Sequence, residues 1–237
     1  TAANSVGGTA SVTQVDPSGG FSIVTYTGFS GASGSSTVGH GMGVAPAMII
    51  HKSRSRDSGW WTQFPNLLTN AGYFLDLSGT GAQTDLNGYG TMNVPTTSVF
   101  TINGVDGIGG ESANYVAYCF ANIEGYCKVG SYAANATTTN NAYIYTGFRP
   151  AFVLVKGIVS GASWTLIDNK RDGFNPTPES LEPNSAGGSY TSAAPFADLL
   201  STGFRVYTTN AVMGSGSYDP YVYLAFAENP FKYATAR

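Results

Sequence analysis

Tyr115-Val116-Ala117-Tyr118-Cys119-Phe120-Ala121 recurs late in the chain as Tyr221-Val222-Tyr223-Leu224-Ala225-Phe226-Ala227, an offset of 106 residues. Each run is short, apolar and rich in aromatic side chains, and each follows a glycine-rich piece, Gly104 to Gly110 or Gly214-Ser215-Gly216. That combination reads as a turn followed by a β-strand. Working outward, Gly43-Val44-Ala45-Pro46-Ala47-Met48-Ile49-Ile50-His51-Lys52 lines up with Gly147-Phe148-Arg149-Pro150-Ala151-Phe152-Val153-Leu154-Val155-Lys156. At that same offset of 104, Trp60 falls on Trp164 and Phe100 on Phe204. Gly20-Phe21 and Tyr26 echo Gly125-Tyr126 and Tyr132. Blocks in one order at nearly one offset predict two diverged tandem copies of a β unit. The expected limits are residues 20–124 and 125–237, each the size of a small sandwich. Residues 1–19, rich in Gly, Ser, Thr and Ala, read as a linker or N-terminal arm.

Other short apolar runs bounded by Gly, Asn, Ser and Pro are strand candidates. These are Phe21 to Tyr26, Ala47 to Lys52, Trp60 to Phe64, Val99 to Asn103, Ala142 to Thr146, Phe152 to Lys156, Trp164 to Asp168 and Phe204 to Thr208. No ten-residue stretch has a helical period. Phe64-Pro65-Asn66-Leu67-Leu68 and Phe196-Ala197-Asp198-Leu199-Leu200 each read as a single helical turn. The predicted class is all-β, an antiparallel β-sandwich or jelly-roll-like fold in two related halves.

The chain has 237 residues, of which 42% are hydrophobic and only 11% charged, against about a quarter charged in an average domain. Its polar surface must therefore be built from Ser, Thr, Asn and Gly. A net charge of -3 argues against nucleic acid, which selects a basic stripe. No apolar run reaches 18 residues, so no membrane insertion by a helix is expected. Cys119 and Cys127 are too few for a disulfide framework and read as free thiols formed in a reducing cytoplasm, Cys119 as a small buried hydrophobe.

The chemistry-bearing residues are sparse. His40 and His51 are the only histidines and there is no C-x-x-C, so no metal site is expected. Asp168-Asn169-Lys170-Arg171-Asp172 carries clustered oxygens, but its two cations oppose calcium, and the stretch reads as a turn with Asp and Asn bonded to backbone. The 14 acids form no carboxylate pair within a strand motif, and there is no phosphate-binding glycine signature. No catalytic residue and no cofactor is expected. His40, between glycines in Gly39-His40-Gly41, is a candidate exposed loop histidine, while His51 reads as a strand residue.

Aromatics make up 13% of the chain, and the repeat sorts them. Those present in both copies (Trp60 with Trp164, Phe100 with Phe204, Tyr115 with Tyr221, Phe120 with Phe226) are assigned to a shared core. Those present in one copy are free to bind a ligand. Trp61 alternates to the face opposite Trp60, and Tyr73, Tyr89, Tyr190 and Tyr218 lie in polar, loop-like segments. Together with His40 these are the candidate binding residues.

Gly20-Phe21-Ser22-Ile23-Val24-Thr25-Tyr26-Thr27-Gly28, Val38-Gly39-His40-Gly41-Met42-Gly43-Val44-Ala45-Pro46, Tyr145-Thr146-Gly147-Phe148-Arg149-Pro150 and Ala225-Phe226-Ala227-Glu228-Asn229-Pro230, with the runs quoted first, resemble a family of tandem-repeat β domains in tail proteins of tailed phages, marine ones especially. The resemblance implies a virion protein, assembled in the host cytoplasm and placed at a tail fibre or spike. It implies host cell-surface recognition, with a glycan or receptor and other virion proteins as partners and a homotrimer as a possible assembly. Two other readings stay open. One is a purely structural virion protein with unpaired aromatics buried at subunit contacts. The other is a glycan depolymerase with two carboxylates across a cleft.

Overall fold

The computed structural model describes residues 1–31, 33–110, 112–134, 142–159, 161–192 and 195–230. The chain is all-β, with antiparallel sheets; among the described residues the helical structure is two 3-10 turns, Asn87–Tyr89 and Gly216–Tyr218. It divides into two compact units: Thr1–Leu77 with Gln83–Asn122, and Ser78–Ala82 with the chain from Ile123 onward.

The first unit contains β1 (Ala2–Asn4), β2 (Ser11–Val15), β3 (Phe21–Thr27), β4 (Ser35–Gly39), β5 (Met48–Ser53), β6 (Trp61–Gln63), β7 (Tyr73–Asp76), β8 (Thr84–Asp85), β9 (Val99–Asn103) and β10 (Asn114–Phe120). Its main sheet has the order β1-β2-β3-β10-β5-β6-β7-β8, and β4 pairs with β9. The run first quoted is the central strand: β10 lies between β3 and β5, with Tyr115 opposite Tyr26 and Ser53, and Cys119 opposite Ser22 and Ile49. Alternation puts Tyr115, Ala117 and Cys119 on the buried face with Val24, Tyr26, Ile49 and His51. Phe100 of β9 lies against that face, its ring centroid 5.9 Å from Tyr26 and 5.5 Å from His51. The β4–β9 pair thus closes one side of a two-layer core.

Residues 1–19 are not the linker their composition suggests. β2 pairs with β3 from Ser11 opposite Tyr26 to Val15 opposite Ser22, and β1 pairs with β2. Ser11 and Thr13 point inward and are buried, and the Ser11 hydroxyl donates to the Gly39 carbonyl at 2.9 Å. Small polar side chains that find such partners can serve as core residues at a sheet margin, which a composition count does not register.

The second unit contains β11 (Cys127–Tyr132), β12 (Tyr143–Tyr145), β13 (Pro150–Gly157), β14 (Thr165–Asp168), β15 (Glu179–Ser180), β16 (Tyr190–Thr191), β17 (Ala197–Leu200), β18 (Gly203–Val206) and β19 (Tyr221–Ala227). Its sheets run β11-β19-β13-β14 and β12-β18-β17, with β15 paired to β16. The core between the two larger sheets takes Val153, Val155, Tyr221, Tyr223 and Ala225 from one and Ile144, Ala197, Leu199, Phe204 and Val206 from the other. Phe196–Leu200, expected as a helical turn, is instead largely strand: Ala197 pairs with Val206 and Leu199 with Phe204. The inward side chains Ala197 and Leu199 are buried while Asp198 and Leu200 are half-buried, a period of two.

The order β3-β10-β5-β6 in the first unit and β11-β19-β13-β14 in the second place corresponding segments in corresponding positions, as do β4-β9 and β12-β18. Tyr26 stacks on Tyr115 at 5.4 Å and 18°, and Tyr132 stacks on Tyr221 at 5.2 Å and 11°. Such pairs contribute roughly 0.5–1.5 kcal/mol beyond their burial. Trp164 is 1% exposed, as a core aromatic should be, but Trp60 is 36% exposed and is not a core residue.

Candidate functional site

A concave site with an exposed ring lies in the second unit. Strand pairing of Ser180 with Tyr190 and of Glu179 with Thr191 holds β15 and β16 as a short hairpin. The Ser189 hydroxyl donates to Glu179 Oε2 at 3.1 Å beside it. Tyr190 projects from this hairpin and is 55% exposed. Its ring rests edge-on to buried Phe196, with centroids 6.1 Å apart and planes at 66°. A cavity of about 340 Å³ opens here, lined by Ser180, Glu182, Tyr190, Phe196, Asn210, Ala211 and Val212. Its far wall is fixed by a tight turn, in which the Asn210 carbonyl accepts from the amides of Met213, Gly214 and Ser215.

The lining combines an aromatic face, apolar Val212, one carboxylate at Glu182 and one amide at Asn210. The volume falls at the lower end of the range of small-molecule sites. The carboxylate accepts hydrogen bonds only, while the amide both donates and accepts. Such a set matches a ligand with an apolar face and a rim of hydroxyls.

The remaining sequence candidates fall elsewhere. Trp61 and Tyr73 are half-buried, on β6 and β7. A Cβ on Gly107, whose φ is +100°, would stand 2.6 Å from Trp61 Cδ1, so this glycine makes room for the indole. Tyr89 and Tyr218 end the two 3-10 turns, and their side chains lie outside the described residues. His40, expected in an exposed loop, is fully buried. Its Nε2 lies 3.2 Å from the Thr96 carbonyl, and Nδ1 accepts from the Met42 amide at 3.2 Å. Burial lowers its pKa, against the opposing pull of the Thr96 bond. The glycines at 39 and 41 let the backbone tuck the ring inward rather than present it: a Cβ on Gly39 would meet Asn4 and the Val6 carbonyl at 2.7 Å.

Sequence reasoning singled out Tyr190 but missed Glu182, Phe196, Asn210 and Val212, which reach the site from three separate segments. Asp168 forms the turn expected of it, accepting from the amides of Lys170 and Arg171 at 2.8 and 2.9 Å and pairing with the Arg171 guanidinium at 2.8 Å. Among the described residues no three His, Cys, Asp or Glu side chains gather to hold a metal ion. No helix among them is long and apolar enough to cross a membrane.

No curated protein and no solved structure matches the chain. A family model does match over residues 1–230, nearly its full length, and the chain therefore belongs to DUF7483, a domain of unknown function.

Proposed function

We propose that this domain is a carbohydrate-recognition module of a phage virion, carried at a tail fibre or spike, and that the Tyr190 cavity takes a sugar ring of a host-surface glycan. The observation that carries the reading is the lining itself. An exposed phenol ring offers a stacking surface to the C–H face of a pyranose, and Glu182 and Asn210 stand beside it for the hydroxyls. The low charge and the family resemblance of the sequence support the same reading. The parallel strand orders and the paired tyrosine stacks support reading the two units as diverged copies of one ancestor.

The test is binding of the full chain to an array of bacterial surface polysaccharides, followed by titration calorimetry on any hit. Binding that weakens at least tenfold in Tyr190→Ala, and stays unchanged in Trp61→Ala, supports the reading. A folded chain that binds no glycan, or binds equally well without the Tyr190 ring, overturns it in favour of a purely structural virion protein. Release of reducing ends from the bound polysaccharide would favour the depolymerase.

A further inference from the structure

Lys52 and Lys156 occupy matching places, on β5 and β13, yet their surroundings differ. Lys156 is fully buried, and its ammonium donates to two backbone carbonyls, Ala162 at 2.8 Å and Thr80 at 3.1 Å. Thr80 sits at the apex of the loop joining β7 to β8, within Ser78–Ala82, the segment that packs with the second unit. Lys52 donates to the Ser58 carbonyl, the counterpart of Ala162. It is only half-buried, with its Nζ 5.6 Å from the Trp60 ring centroid. Trp60 in turn stacks on half-buried Tyr118 at 6.4 Å and 19°, leaving an exposed indole beside a cation.

The loop that supplies Thr80 also has a counterpart. β7 pairs with β6 through Thr62 opposite Leu75, and Leu181 bridges to Leu166 of β14 in the same way. The chain then turns back as β8 in one unit and β16 in the other. The two loops are alike in composition: Ser78-Gly79-Thr80-Gly81-Ala82 and Ser185-Ala186-Gly187-Gly188-Ser189. Ser185 to Ser189 are exposed, and a Cβ on Gly188 would meet nothing within 4 Å. Small side chains of this kind let a backbone carbonyl approach an ammonium closely, as Thr80 does.

The chain therefore holds one lysine covered by a small-residue loop, one matching lysine left open, and one matching loop left exposed. We infer that a second copy of this chain covers the open one: its Ser185–Ser189 loop docks on Lys52 and Trp60, repeating between molecules the contact that Ser78–Ala82 makes with Lys156. In a head-to-tail arrangement each copy gives one loop and takes one, and the contact closes into a ring or runs on.

Sedimentation equilibrium of the full chain across a concentration series tests this. The wild type should form oligomers larger than a dimer. Lys52→Glu, Trp60→Ala and Gly188→Glu should each weaken association at least tenfold while keeping wild-type circular dichroism. Mixing Trp60→Ala, which keeps the donor loop, with Gly188→Glu, which keeps the acceptor, should restore one contact and stop at a dimer. A wild-type monomer at every concentration overturns the proposal, as do oligomers indifferent to all three substitutions. So does a mixture that yields no dimer, since the intact loop would then have failed to seat on the intact acceptor.

Discussion

The Tyr26 hydroxyl lies 3.3 Å from Nδ1 of His51 and donates its proton to the Ile108 carbonyl at 2.5 Å. With that proton committed, His51 must carry its own on Nδ1, and Nε2 is left as a buried acceptor with no hydrogen-bond partner. The rings of Phe74 and Phe100 stand edge-on to it at 5.9 and 5.5 Å.

A pH dependence follows from this burial. Desolvation pulls the His51 pKa down to about 3, against about 6.5 in the unfolded chain. Between those values the unfolded state binds the proton and the folded state does not. Stability from this group is complete above pH 6.5 and is lost as pH falls toward 3, by about 2–3 kcal/mol between pH 6.5 and 4.5. His51→Phe removes both the titrating group and the orphan acceptor. Urea unfolding of the variant should match wild type within about 1.5 kcal/mol at pH 7 and show a shallower decline to pH 4.5. An unchanged slope would refute the assignment.

The two aligned tryptophans should separate sharply on truncation. Trp164→Ala empties a buried site and should cost about 3–5 kcal/mol. Trp60→Ala removes a partly exposed ring and should cost about 1 kcal/mol. Denaturant midpoints measured on both variants check the pair.

At the candidate sugar site, Tyr190→Phe keeps the ring and removes only the hydroxyl. It should retain glycan binding within about threefold, whereas Glu182→Gln, which deletes the charged acceptor, should weaken it about tenfold or more. Calorimetry on the same hit separates stacking from hydrogen bonding. Loss in Tyr190→Phe equal to loss in Tyr190→Ala would show that the ring face is not the contact.

Both thiols should be inert in the native state. Cys119 and Cys127 are buried and free, and desolvation raises the pKa of each, that of Cys127 to about 12. Because the thiolate is the reactive form, Ellman's reagent should label neither within minutes at pH 8 and both at once in guanidinium. Prompt labelling of the folded chain would mean that one of these sites opens.

Strands with dense apolar runs, such as β10, β13 and β19, were legible because their side chains declare burial outright. Phe196-Ala197-Asp198-Leu199-Leu200 was not, since its apolar residues also fit a helical face, and pairing with β18 decided the matter. The aligned tryptophans misled for another reason. Alignment at one offset predicts a common position in the fold, not common covering, and Trp60 and Trp164 differ in exposure, 36% against 1%. Tyr190 could be picked out as a ring with no aromatic residue aligned to it. Glu182 and Asn210 could not, because their nearness to it exists only after the β15–β16 hairpin and the 210–215 turn have formed.

The pairing of β2 along β3 also bears on how the first unit can be handled. A fragment begun at residue 20 would strip β2 from β3 and leave a seven-residue strand with a row of unpaired amides and carbonyls. Bare edges of that length recruit strands from neighbouring molecules. Such a fragment would be prone to aggregate even with its core intact, so the first nineteen residues act as an edge guard for the sheet.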